Sequence, residues 1–305
     1  MSGTRLRVAG ALLAAAATAA IFTASGGRVP ASRLRPAVVR VGRLELRTVR
    51  SGRGTPVVLL HGFGESLTAW RSVFTQLSEN ADVIALDLPG HGLSSKPASG
   101  YATDSLAADV GGALDAMGVG RAVLVGHSLG GAVAAAVALR APDRVLGLVL
   151  VDPAIAVASS LLPDSSTGPS ATEALRAAIA EYEVQRSRFN SVHDRGWLRE
   201  TDSELAYVPA GDPAYGPALR AVLSEFDFHY ITPERARQLD VPVLLIWGSL
   251  DPLLPVEGGR RLAAELPRAR LAIIPRCWHR PHVERPDTVA ALVAAFVERT
   301  ARATP

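Results

Sequence analysis

Ser128 stands in the run Gly126-His127-Ser128-Leu129-Gly130-Gly131, a G-x-S-x-G pattern. A serine hydroxyl becomes a useful nucleophile only when a base takes its proton, and imidazole suits that task near neutral pH. The chain has seven histidines. His61 and His91 sit in glycine-rich loops, His127 precedes the serine, and His193 and His229 lie in a long central segment. His279 and His282 remain, and both follow the last strand-like run. A third group must orient the imidazole and stabilise its cation. Asp251, in a G-x-x-D-x-x-x-P turn closed by Pro255, and Asp152, just after an apolar run, are the two candidates. This set of residue types predicts attack on a carbonyl, an acyl-enzyme, and release by water. No His/Cys/Asp group has metal-ligand spacing and no dinucleotide fingerprint occurs, so no metal and no cofactor are expected.

The elements that must position these residues are legible as a rhythm. Residues 38–49 alternate apolar and polar, which suggests an antiparallel pair or bent strand at a sheet edge. Short continuous apolar runs at 57–60, 83–86, 122–125 and 145–151 then alternate with amphipathic stretches at 67–77, 103–117 and 129–139. Runs buried on both faces and separated by helices require a parallel sheet. The rhythm resumes with 241–247, a helix near 256–266, a strand at 271–274 and a final helix at 286–302. The fold class is α/β, doubly wound and mostly parallel. Residues 154–240 break the pattern with helical stretches, such as 172–189 and 218–226, and with Pro/Gly interruptions that include Pro163, Pro169, Gly196, Pro209, Gly211, Pro213 and Pro217. They read as a helical cap inserted in a core of residues 37–153 and 241–305. The serine motif lies between strand 122–125 and helix 129–139, where a sharp turn exposes its hydroxyl at the carboxyl end of the sheet. Side chains at 126 and 130 would collide in such a turn, which explains the glycines.

Five motifs in order carry a resemblance: His61-Gly62-Phe63-Gly64, Asp87-Leu88-Pro89-Gly90-His91-Gly92, the serine turn, Gly248-Ser249-Leu250-Asp251, and His279-Arg280-Pro281-His282-Val283-Glu284-Arg285-Pro286. Over residues 38–302 the chain resembles the α/β-hydrolase superfamily, in the group that includes haloperoxidase-like esterases, carbon–carbon bond hydrolases, epoxide hydrolases and dehalogenases. The family's G-H-x-P-x-x-E-x-P loop aligns through Pro281, Glu284 and Pro286. That alignment implies His279 as the base and His282 as structural. Trp278 replaces the family's usual glycine. Both acids fit the chain order Ser, Asp, His. The G-x-x-D-x-x-x-P turn after strand 241–247 favours Asp251, while some relatives place the acid after the preceding strand, where Asp152 stands. The resemblance also implies an oxyanion hole from the backbone N–H groups of Phe63 and Leu129. Phe63, Trp278 and the central Trp197 are candidate pocket residues. Relatives that open epoxides or displace halide carry Asp at the turn, so Ser128 points to an ester or related acyl substrate. The alternatives are carbon–carbon bond hydrolysis, perhydrolase or haloperoxidase-like activity with the same triad, and a non-catalytic ligand-binding homologue.

Composition sets the remaining bounds. The chain of 305 residues is 48% hydrophobic and 20% charged, with a formal net charge of +3. Its cations are scattered, which argues against a nucleic-acid partner and leaves a small acyl substrate. Cys277 is the single cysteine, so no internal disulfide is possible. Arg5 and Arg7 precede an apolar run at 8–22 and then small residues at 23–27. That pattern predicts a signal peptide, or a membrane anchor, over residues 1–27 and a linker over 28–36. Export to the cell envelope or beyond follows, with membrane contact only through that segment.

Overall fold

The computed structural model describes residues 36–155 and 212–302. The expected export segment, most of the linker, Trp197 and the 172–189 helix lie outside them. The elements are β1 (Ala37–Val41), β2 (Leu44–Ser51), β3 (Pro56–Leu60), a 3-10 turn (Leu67–Trp70) leading into α1 (Arg71–Leu77), β4 (Asp82–Leu86), α2 (Thr103–Ala116), β5 (Ala122–His127), α3 (Leu129–Arg140) and β6 (Val145–Val151). After the gap come α4 (Tyr215–Glu225), α5 (Pro233–Arg237), β7 (Val243–Gly248), α6 (Val256–Glu265), β8 (Ala269–Ile274), α7 (Pro281–Glu284) and α8 (Pro286–Arg302).

The strands form one eight-stranded sheet in the order β1-β2-β4-β3-β5-β6-β7-β8. β1 pairs antiparallel with β2, and β2 antiparallel with β4. Every other pairing is parallel. The central strands are continuous apolar runs because both faces are covered. In β3, Val58 and Leu60 face one layer while Val57 and Leu59 face the other. The first layer is built from α2, α3, α4, α5 and α6, through residues such as Leu106, Val133, Val222, Ala236 and Leu262. The second is built from α1 and α8, through Val73, Phe74, Val289, Val293 and Phe296. Each fully buried side chain of this size contributes about 1.5–3 kcal/mol by leaving water.

α3 shows how composition fixes position. Residues 132–138 are alanine and valine, all buried, so the helix axis lies close to the sheet and its N-terminus is held against the end of β5. α4 and the residues after it belong to the region read as a cap. Ala218, Val222, Phe226, Phe228 and Ile231 join the same apolar cluster as α2 and α3. Among the described residues no helix is long and apolar enough to cross a membrane.

Candidate active site

β5 continues through Gly126 and His127, and α3 begins at Leu129, so Ser128 alone makes the turn. It does so at φ 49° and ψ −116°, a conformation costly for a residue with a side chain. The surroundings enforce it. The Ser128 N–H donates to Val151 O at 3.0 Å, and its carbonyl accepts from Gly131, Ala132 and Ala154. A Cβ on Gly126 would come within 2.7 Å of Gly131 Cα, and one on Gly130 within 2.6 Å of Leu60 O. Both glycines are therefore dictated by close backbone approach, as the sequence pattern implied.

The two backbone groups that the resemblance assigns to an oxyanion hole lie in the loop after β3 and at the start of α3. Leu129 is the first residue of α3, where N–H groups lack helical partners and the helix end favours negative charge. Phe63 follows the HG pair of the β3 loop. Among the described residues, neither N–H has a protein acceptor. The Phe63 ring packs edge-on against His91 at 5.9 Å.

His279 and Asp251 meet as expected: His279 Nδ1 lies 2.7 Å from Asp251 Oδ2, with both side chains nearly inaccessible. Asp251 Oδ1 accepts from the N–H groups of Leu253 at 2.8 Å and Leu254 at 3.0 Å. Burial opposes its charge, but the His279 ring and these donors hold the carboxyl below its ordinary value. Donation from Nδ1–H leaves Nε2 of His279 as the basic nitrogen. Glu284 explains the acid of the loop motif. Its carboxylate accepts from Trp278 N–H at 2.9 Å and Arg280 N–H at 3.1 Å, the two amides that flank His279. The Trp278 side chain is half exposed. Asp152, the other candidate acid, is fully buried behind this pair. A carboxylate oxygen of Asp152 lies within 4.8 Å of Asp251 and of the His279 ring.

A second buried cluster was not foreseen. Glu65 Oε2 accepts from Gly62 N–H at 2.8 Å and lies 3.0 Å from His127 Nδ1, while Oε1 accepts from Arg280 Nε at 2.7 Å. His127 Nε2 lies 2.7 Å from the carbonyl of His279. One carboxylate thus ties the oxyanion loop, the residue before Ser128 and the His279 loop together. Burial opposes the Glu65 charge, but His127 and Arg280 hold its carboxyl well below the ordinary range. His127 has an acceptor at each nitrogen. Burial pulls its pKa down and the Glu65 charge pulls it up, with burial the larger. His282, which the resemblance implied to be structural, is fully buried, its ring tilted at 4.3 Å from both Trp70 and His127. Burial and the neighbouring His127 depress it to about 3. Glu65, His127 and His282 bring ligand-type atoms within 4.8 Å of one another, but Gly62 N–H already donates to the Glu65 oxygen that faces the two rings and the Arg280 guanidinium pairs with the other.

The DLPGHG loop is a scaffold beside the site. Asp87 Oδ1 accepts from Leu67 N–H at 2.6 Å and Oδ2 from Leu93 N–H at 2.8 Å. His61 Nε2 accepts from Leu88 N–H at 3.0 Å. Cys277 is buried, and burial raises its thiol pKa, so it is no nucleophile.

With the serine turn at the end of β5 and the His279–Asp251 pair on the loops after β8 and β7 in view, the chain can be set beside known proteins. An uncharacterised hydrolase of Bacillus subtilis is 31% identical over 258 residues, covering 81% of this chain and 91% of the relative. The 2-hydroxymuconate semialdehyde hydrolase of Pseudomonas sp. (strain CF600) is 31% identical over 256 residues, covering 81% and 88%. The structure of a thermophilic esterase from Thermogutta terrifontis superposes with a TM-score of 0.67 at 26% identity, covering 88% of this chain and 99% of that one. The sequence profile described as alpha/beta hydrolase fold matches residues 55–286, and with the sheet order and the serine turn seen here this chain belongs to that family of hydrolases.

Proposed function

We propose that the protein hydrolyses a carboxylic ester, or a closely related acyl compound, through an acyl-enzyme on Ser128. The observation that carries this reading is the His279 Nδ1–Asp251 Oδ2 contact of 2.7 Å, set beside a serine held in a strained turn at a helix N-terminus. In the first half-reaction Ser128 Oγ bonds to the substrate carbonyl carbon while His279 Nε2 takes its proton. The carbonyl oxygen becomes an oxyanion that accepts from the N–H groups of Phe63 and Leu129, fixed donors that need no reorganisation. Asp251 stabilises the imidazolium. The carbon–oxygen bond to the alcohol then breaks, and His279 returns the proton to the leaving oxygen. Water repeats the sequence on the acyl-enzyme and frees the acid and Ser128. The Thermogutta terrifontis esterase supports the ester as substrate class.

A second reading, hydrolysis of a carbon–carbon bond next to a carbonyl, has one specific support. Relatives at 29–31% identity include hydrolases of 2-hydroxymuconate semialdehyde and of 2-hydroxy-6-oxo-2,4-heptadienoate. A p-nitrophenyl ester chain-length series separates the two when run beside 2-hydroxymuconate semialdehyde. The ester reading expects turnover of at least one ester, loss of about 10⁶-fold in Ser128→Ala, and labelling of Ser128 alone by a fluorophosphonate. Near-normal turnover by a folded Ser128→Ala protein refutes the mechanism, and turnover of the semialdehyde alone transfers the assignment to the second reading.

A further inference from the structure

Asp152 lies outside the reaction just described, yet it is placed in contact range of the catalytic pair. It is fully buried, at φ 40°, between the end of β6 and Pro153. Its N–H donates to Ile246 O at 3.0 Å. Its Oδ1 accepts a single amide, Gly248 N–H at 3.1 Å, and its Oδ2 is buried with no N–H or hydroxyl donor reaching it. Among the described residues no lysine or arginine pairs with it. The titratable groups that face it are Asp251, His279, Glu284 and the Cys277 thiol.

Two carboxyl groups within 4.8 Å in a site closed to water cannot both be ionised cheaply. One of them must hold a proton, and the hydrogen bonds say which. Asp251 receives three N–H donors, from His279, Leu253 and Leu254. Asp152 receives one. The anion belongs where the donors are. Asp251 has one acceptor direction left for a donor, and Asp152 has one oxygen without a partner.

We propose that Asp152 is a neutral carboxylic acid in the resting enzyme, donating its O–H to the Asp251 carboxylate as a positioning residue behind the catalytic pair. The proposal rests on the Ser128–His279–Asp251 assignment. The direction of its titration agrees: burial first, then the Asp251 charge, push the Asp152 carboxyl well above the ordinary aspartate range. The arrangement fixes the Asp251 carboxylate in the plane that meets Nδ1–H without adding a second negative charge beside the imidazole. The imidazole of His279 therefore faces one carboxylate charge rather than two.

The test compares Asp152→Asn and Asp152→Ala with the parent. Asn keeps a donor at the same place and carries no charge. The rate at which a fluorophosphonate labels Ser128, followed against pH, reads the activation of the serine whether or not any ester is turned over. Asp152→Asn is expected to leave the midpoint of that acid limb within about 0.3 of the parent, because a neutral group replaces a neutral group. Labelling is expected to slow roughly tenfold in Asp152→Ala, where the bond to a charged acceptor is lost, and to recover in Asp152→Asn. An infrared band of a buried protonated carboxyl, present in the parent at neutral pH and absent from Asp152→Asn, reports the proton directly. That band does not depend on activity or on whether the alanine variant folds. A fall of the acid limb by about one pH unit in Asp152→Asn means that Asp152 carried a negative charge, and overturns the proposal, as does absence of the band from the parent. Should no ester be hydrolysed, the ester reading alone fails, since labelling and the infrared band still decide the state of Asp152.

Discussion

Gly248 ends β7 and carries no side chain that touches substrate, yet replacing it should cripple the enzyme. A Cβ built there falls 2.6 Å from the carbonyl oxygen of Cys277 and closer still to that of Trp278. Tolerated Cβ contacts begin at about 3.0 Å, so the methyl of Gly248→Ala lacks room by at least 0.4 Å against one carbonyl and more against the other. Neither obstacle is a flexible side chain. Both are backbone of the segment that leads into His279. Gly248 is itself held, since its N–H donates to Asp152 at 3.1 Å, and β7 is paired with β8. The segment bearing His279 must therefore move, by about 0.5–1 Å. A misplacement near 1 Å costs about 10²-fold in rate, and overpacking costs about 1–3 kcal/mol of stability, equivalent to roughly 2–4 °C in Tm per kcal/mol for a domain of this size. The assay is kcat and KM on an ester that the parent turns over, with a thermal melt of the same preparation. The expected result is a kcat loss of about 10²-fold, KM changed by less than about threefold, and a modest fall in Tm. A folded Gly248→Ala enzyme with at least half the parent kcat refutes the claim that this crossing point sets the position of the base.

Glu65→Gln tests the second buried cluster. The amide turns at least one of the contacts to Gly62 N–H, His127 Nδ1 and Arg280 Nε into a donor facing a donor, and breaking a buried pair of this kind costs about 3–5 kcal/mol; a change below 1 kcal/mol in denaturant unfolding sinks the reading of Glu65 as the tie between the two loops. The second concerns acid. His91 and His282 are each held at about 3, His91 by burial and then by the neighbouring His61, and His282 by burial and then by His127. Both bind protons more readily when unfolded, so stability falls as pH drops from about 6.5 toward 3, by up to about 1.4 kcal/mol per pH unit for each. Denaturant midpoints measured between pH 7 and pH 4 check this, and a pH-independent midpoint contradicts it.

Much of the fold was legible because its signals are local. An apolar run without alternation means burial on both faces, and runs near 57, 83, 122, 145, 241 and 271 became parallel strands in a single sheet. The glycines at 126 and 130 announced a close approach that the backbone shows. The Asp251–His279 pairing came from the order of motifs, and the two side chains do meet. Details that depend on continuation were read less well. β5 runs on through His127, because the strand pairs to Val151 before the turn begins, and the four-residue helix Pro281–Glu284 was read as loop.

The residues missed have something in common: their partners are remote in sequence. Glu65 meets His127 across 62 positions and Arg280 across 215, and nothing in the spacing of HGFGES marks its glutamate as buried. A buried carboxylate is tolerable only with donors around it. The signal that an acid belongs inside is therefore carried by the fold, not by neighbouring residues. His127 and His282 looked like bystanders because neither occupies the position of the base. Their work is to fill the space under that base with rings that pack and, in His127, with a nitrogen set 2.7 Å from the carbonyl of His279. The two candidate acids teach the same point. Asp152 and Asp251 competed in the sequence for one role, whereas the sheet places the ends of β6 and β7 side by side and so brings both carboxyls to one histidine. Only one of them has the three amide and ring donors that an anion needs. The turn motif pointed to Asp251, but what separates the two carboxyls is the number of donors each receives, and that is decided by the turn at 251–254.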